Sequence, residues 1–110
     1  MEIHYSSRKV QKLFSEEKEL NAKFGRLAKT IKLRLTQMEA AETLHQLHKD
    51  MPGLRIHEYQ EREKGQLSID LSGNYRLLFK PTDPPPLKKD TGLDWAQITS
   101  IVILEVTDPH

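Results

Sequence analysis

With 110 residues, 36% of them hydrophobic and none of them cysteine, the chain is sized for one domain. Its composition excludes a disulfide scaffold, a thiolate zinc site and cysteine nucleophilic chemistry. The formal net charge of +1 conceals an asymmetry: residues 8–34 hold nine Lys/Arg against three Glu, whereas residues 35–110 hold eight Lys/Arg against twelve Asp/Glu. The basic first third suits a phosphate backbone or an acidic partner, and equally suits a plain solvated helix face.

Residues 2–5 predict a short edge strand. Ser6-Ser7 then offer a hydroxyl N-cap ahead of Val10, Leu13 and Phe14 at helical spacing, which predicts a first short helix. Ser15 restarts the signal, because Glu16, Glu17 and Glu19 stand where acidic groups favour a helix N-terminus. Leu20, Phe24, Leu27, Ile31, Leu35 and Met38 fall along one stripe, and that stripe should lie on a sheet. Gly25 interrupts it at a cost of roughly 1 kcal/mol relative to alanine in a helix interior, so a break or a bend is expected there. The helical pattern continues through Ala40–Leu47 until Pro52-Gly53 stops it.

Beyond Gly53 the period changes to two. Residues 54–59 and 67–71 alternate as half-buried strands do, and Ser72-Gly73-Asn74 turns the chain into a further strand over Tyr75–Lys80, an antiparallel hairpin. Residues 81–94 hold four prolines and predict a loop with a polyproline stretch. Ile101–Val106 is almost continuously apolar, which predicts a central or doubly buried strand. The fold class is α+β: N-terminal helices on one face of a mostly antiparallel sheet of about five strands, with the other face free for work. Residues 1–110 form a single domain in this reading. Met1-Glu-Ile-His-Tyr-Ser carries no basic leader, and no apolar run approaches the roughly 18 residues of a membrane span, so a soluble, cytoplasmic chain with no membrane partner is expected.

Gly65-Gln-Leu-Ser-Ile-Asp-Leu, Asn74-Tyr-Arg-Leu-Leu-Phe, Asp94-Trp-Ala-Gln-Ile-Thr-Ser-Ile and Ile103-Leu-Glu-Val-Thr-Asp-Pro-His, together with Met1-Glu-Ile-His-Tyr-Ser-Ser, carry a resemblance. The chain resembles the HigB-like plasmid-maintenance killer proteins of the RelE/ParE superfamily along its whole length. The resemblance implies a RelE-like fold and the toxin of a type II toxin–antitoxin system. It further implies an mRNA endonuclease acting in the ribosomal decoding site, a cognate antitoxin of the helix-turn-helix kind, and ribosome and mRNA as partners.

Metal-free RNA cleavage needs the 2′-hydroxyl deprotonated, the phosphorane's charge stabilised and the leaving 5′-oxygen protonated, work that suits histidine, carboxylate and arginine and calls for no cofactor. Strand periodicity places His57 on one face with Arg55 and Tyr59, opposite Ile56. A lone strand histidine is ordinarily surface decoration, but the resemblance puts His57 at the family's catalytic histidine and Arg76 at its Asn-Tyr-Arg position. There a guanidinium can fork onto phosphate oxygens; the bland alternative is a surface salt bridge to Asp70. Arg55 and Lys64 are the expected substrate-binding cations. At the C-terminus Asp108 and His110 match the family's catalytic ending, while Pro109 replaces a tyrosine on which a base would stack. Gln60 and Leu67 depart from the family's lysine and aromatic residue. Pro109 weakens the expected activity and keeps a second reading open, a non-catalytic binding module on the same fold, either a gyrase-poisoning relative or a decayed toxin that binds an antitoxin. His45 and His48, three apart on a helix, lack a third metal ligand and read as surface residues, and Trp95 reads as a pin for the proline loop.

Overall fold

The computed structural model describes residues 1–89 and 92–108. Strand β1 (Glu2–Tyr5) leads into α1 (Arg8–Ser15), which starts where Ser7 Oγ accepts the Val10 N–H at 3.1 Å, the N-cap expected of that serine. Helix α2 (Glu17–Phe24) follows, and it opens at Glu16 rather than Ser15. Gly25 breaks the chain outright: it sits at φ 53°, a region that L side chains avoid, and α3 (Leu27–Ala40) begins beyond it. Along the stripe, Leu20, Leu27, Ile31 and Met38 are buried, with Phe24 and Leu35 packed partly against the core.

The helical pattern does not run unbroken to Pro52. Ala41 is extended at ψ 145°, and Thr43 Oγ1 accepts the Gln46 N–H at 3.0 Å to start a separate α4 (Leu44–Asp50). A hydroxyl three residues past the helix end offers the backbone a satisfied start for a new helix.

Strands β2 (His57–Glu58), β3 (Leu67–Asp70), β4 (Arg76–Pro81) and β5 (Ser100–Thr107) complete a five-stranded sheet in the order β1-β5-β4-β3-β2. All neighbours are antiparallel except β1 and β5, which run parallel with Glu2 beside Ser100 and Tyr5 beside Ile103. The α+β class and the mostly antiparallel sheet of five strands are therefore as the sequence predicts. Two strand bounds are corrected. Leu54 closes a short 3₁₀ turn and Arg55 adopts a left-handed conformation at φ 52°, so the strand expected from Leu54 contracts to His57–Glu58. Pro81, assigned to the loop, ends β4 opposite Ile101.

One face of the sheet carries Leu67, Ile69, Leu77, Phe79, Ile101 and Ile103, all fully buried with Ile31, Met38 and Leu44 of the helices. Tyr5, Phe14 and Phe24 extend this layer as a run of rings, with centroids 6.2 and 5.8 Å apart. Each such burial stabilises the fold by about 1.5–3 kcal/mol. The core therefore lies between the helices and one face, leaving the residues of opposite parity on the other.

Candidate functional site

Cross-strand register assigns the free face. His57 pairs with Ser68, Ser68 with Leu78 and Leu78 with Glu105; one step along, Asp70 pairs with Arg76 and Arg76 with Thr107. Paired residues share a face, so His57, Ser68, Asp70, Arg76 and Leu78 all stand on the side away from the helices. His57 is exposed, and its ring meets Tyr59 edge-on with centroids 4.8 Å apart. β2 and β4 flank β3 with two interstrand steps between them, about 9.6 Å at about 4.8 Å each. His57 stands opposite Ser68 and Arg76 opposite Asp70, two residues further along β3, so the two lie diagonally across that gap on one face.

Arg55 does not share His57's face by strand alternation, since its left-handed backbone lies outside the ladder. Its side chain nevertheless reaches the same row: Arg55 Nε lies 3.6 Å from Asp70 Oδ2, and Arg76 Nε lies 3.4 Å from Asp70 Oδ1. The salt bridge weighed as the bland alternative for Arg76 is thus present, and it is shared with a second arginine. Behind it, Arg34 Nε of α3 donates to the Asp70 backbone carbonyl at 2.8 Å, fixing the end of β3 to the helical layer.

Asp108 follows Thr107, the ladder partner of Arg76, so β5 delivers it to the arginine end of the row. Pro109 and His110 lie outside the described residues. Lys64 is not brought in. It sits exposed in the turn joining β2 to β3, beyond the Tyr59 N–H to Gln66 C=O bond and at the end of the sheet opposite Asp70.

Two residues of consequence went unremarked in the sequence. Ser68 is fully buried although it belongs to the free face, and its hydroxyl has no hydrogen-bond partner. Glu58, which alternates to the core side, accepts the Trp95 indole N–H at 2.8 Å and the Leu93 backbone N–H at 3.0 Å, clamping the proline loop to β2 directly beside His57. Trp95 also meets His48 of α4 edge-on at 5.2 Å, so it does pin the loop. The register set by the Ser72–Asn74 turn was the signal available for Ser68; Glu58 had none, because its partners lie 35 and 37 residues away. Among the described residues no cluster of three or more metal-ligating side chains occurs, and no helix is long and apolar enough to cross a membrane.

A mostly antiparallel five-stranded sheet, backed by helices on one side, is consistent with the α+β architecture of RelE-like proteins. Residues 3–89 match the family of RelE-like toxins of the type II toxin–antitoxin system HigB, and the chain belongs to that family. A toxin of this kind implies an antitoxin as its partner. No curated protein matches the chain.

Proposed function

We propose that the chain is a ribosome-dependent mRNA endonuclease that works without metal, as one toxin domain over residues 1–110, in the cytoplasm and under the control of a helix-turn-helix antitoxin. The observation that carries this reading is the placement of exposed His57 on β2 and of the Arg55–Asp70–Arg76 row, which reaches across β3 to β4, on the one face that the helices leave free. With an mRNA phosphate over β3, a base takes the proton of the 2′-hydroxyl and that oxygen attacks phosphorus. The bond to the 5′-oxygen breaks, and an acid protonates the leaving oxygen. The products are a 2′,3′-cyclic phosphate and a 5′-hydroxyl. His57 serves one proton transfer and His110 the other, since imidazole both accepts and donates near neutral pH. Arg76, assisted by Arg55, neutralises the phosphorane, and Asp108 supplies a carboxylate that orients a catalytic histidine. Lys64 binds backbone phosphate further along the strand.

The second reading, a non-catalytic module that binds an antitoxin or gyrase, is favoured by one observation, the proline at position 109 where the family has a stacking ring. Mapping 5′-ends of cellular mRNA after expression of the wild type and of His57→Ala separates the two. Cleavage by the wild type, lost in His57→Ala while folding stability stays within about 0.5 kcal/mol, is the expected result, because an exposed side chain contributes little to the core. Equal cleavage by both would remove His57 from the chemistry, and no cleavage by a folded, antitoxin-bound wild type would favour the binding module.

A further inference from the structure

Asp70 is the carboxylate shared by the two arginines, and the manner of its contacts is informative. Each of its oxygens faces a different guanidinium, Oδ2 that of Arg55 and Oδ1 that of Arg76, and in both cases the nearest nitrogen is Nε. Among the described residues, neither arginine spends its terminal amino groups on a hydrogen bond. At 3.6 and 3.4 Å the contacts are ion pairs longer than the 2.7–3.2 Å typical of N–H···O hydrogen bonds, so an arriving anion can draw the guanidiniums without breaking a tight bond. The carboxylate itself is less mobile: Asp70 is about a quarter exposed at its side chain (27%), it lies in the β3–β4 ladder opposite Arg76, and its carbonyl is held by Arg34. Arg55, by contrast, is 75% exposed at its side chain and rises from a left-handed backbone outside the ladder, so Asp70 is what brings it to the row.

We infer that Asp70 is a positioning residue that holds Arg55 beside Arg76, so that the two guanidiniums present one seat to a single phosphodiester. The inference rests on the proposed RNA-cleaving site and assigns its phosphate seat to a pair of arginines rather than to Arg76 alone. Asp70 does not touch substrate. Its negative charge opposes phosphate binding, and its benefit is orientation, so the two effects separate. Replacing it by asparagine should leave RNA affinity equal or tighter while slowing cleavage by about tenfold or more, the size of loss that misplacement of a charged group by an ångström produces.

The test uses the full chain labelled with ¹⁵N, following the arginine Nε–Hε signals while a 2′-O-methyl hexaribonucleotide, which cannot be cut, is titrated in. In the wild type the Arg55 and Arg76 signals should move together, and in Asp70→Asn that joint response should be lost. Single-turnover cleavage of the matching RNA on ribosomes is measured in parallel. Arg55→Lys provides a second arm at an exposed position: lysine lacks Nε, and the Arg76 signal of the free protein should shift. Arginine signals that answer the probe in Asp70→Asn as in the wild type, or an Arg76 signal unmoved by Arg55→Lys, would overturn the pairing. A wild type whose two signals move together with the probe but which cuts no RNA would instead refute the nuclease reading and leave the pairing standing. A change in melting temperature alone, with rate and probe response intact, would make Asp70 merely structural.

Discussion

Glu58 Oε1 accepts the indole N–H of Trp95 at 2.8 Å, and so the residue next to His57 is the anchor of the proline loop. The other carboxylate oxygen takes the Leu93 N–H at 3.0 Å, and Leu93 is buried. Removing the carboxylate leaves both donors without it. Glu58→Ala is expected to cost about 3 kcal/mol, given 1.5–3 kcal/mol for a hydrogen bond to a charged group and some overlap between the two. Trp95 is the only tryptophan, so its fluorescence during urea unfolding reads both the global loss and the freed loop. A midpoint equal to that of the wild type would mean that the clamp contributes nothing.

Gly92 lies against the same carboxylate. Its φ is +80°, and a Cβ added there would meet Glu58 Oε2 at 2.9 Å. Gly92→Ala therefore combines left-handed strain, about 1–2 kcal/mol, with displacement of the clamp. The expected signature is coupling: in the Glu58→Ala background the same substitution costs less, which a double-mutant cycle by thermal unfolding detects.

Ser68 offers the opposite sign. A buried hydroxyl without a partner is destabilising by about 1–3 kcal/mol relative to a satisfied one, and Ser68→Ala removes it with little change of volume. A gain of about 1 kcal/mol in urea unfolding is expected. A loss of stability would reveal that the hydroxyl has a partner in solution.

The contact between α2 and α3 carries a pH dependence. The hydrogen bond and charge of Lys32, whose Nζ lies 2.6 Å from Glu17 Oε1, hold the Glu17 carboxyl below its ordinary value of 4.5. A carboxyl with a depressed folded value stabilises the protein above its unfolded value, and that contribution is lost as the pH falls through the lower folded one. Glu17 is exposed, so the effect on stability is small and salt-sensitive. Its side-chain carbon should titrate by NMR below the ordinary value of 4.5, and Lys32→Met should return it to the ordinary range.

Much of this was legible in residue order because it depends on local pattern. The stripe from Leu20 to Met38, the Ser7 cap and the Ser72–Asn74 turn are each set by neighbours within a few positions, and His57 and Arg76 fall on the free face by simple alternation. What escaped depends on distant partners or on rare backbone. Arg55 at φ 52° has no glycine to announce it, and the alternation of 54–59 reads as a full strand, of which only His57–Glu58 remains in the ladder. Thr43 looks like any polar helix residue, and only the bond it makes to Gln46 identifies it as a start. Asp70 was visible as a neighbour of Arg76 but not as the partner of two arginines, since the second contact needs the turn before β2.

The parallel pairing of β1 with β5 places Glu2 beside Ser100, and β5 is also the only neighbour joining β1 to the rest of the sheet. The sheet therefore cannot close during synthesis until the last strand has left the ribosome. Helices α1 to α4 emerge first, with the apolar stripe still lacking the β5 half of its seat, and sheets made from such distant pairings form slowly. A chain of this design completes its sheet only once β5 is available, which leaves an interval in which a partner already present can meet it while it is still folding.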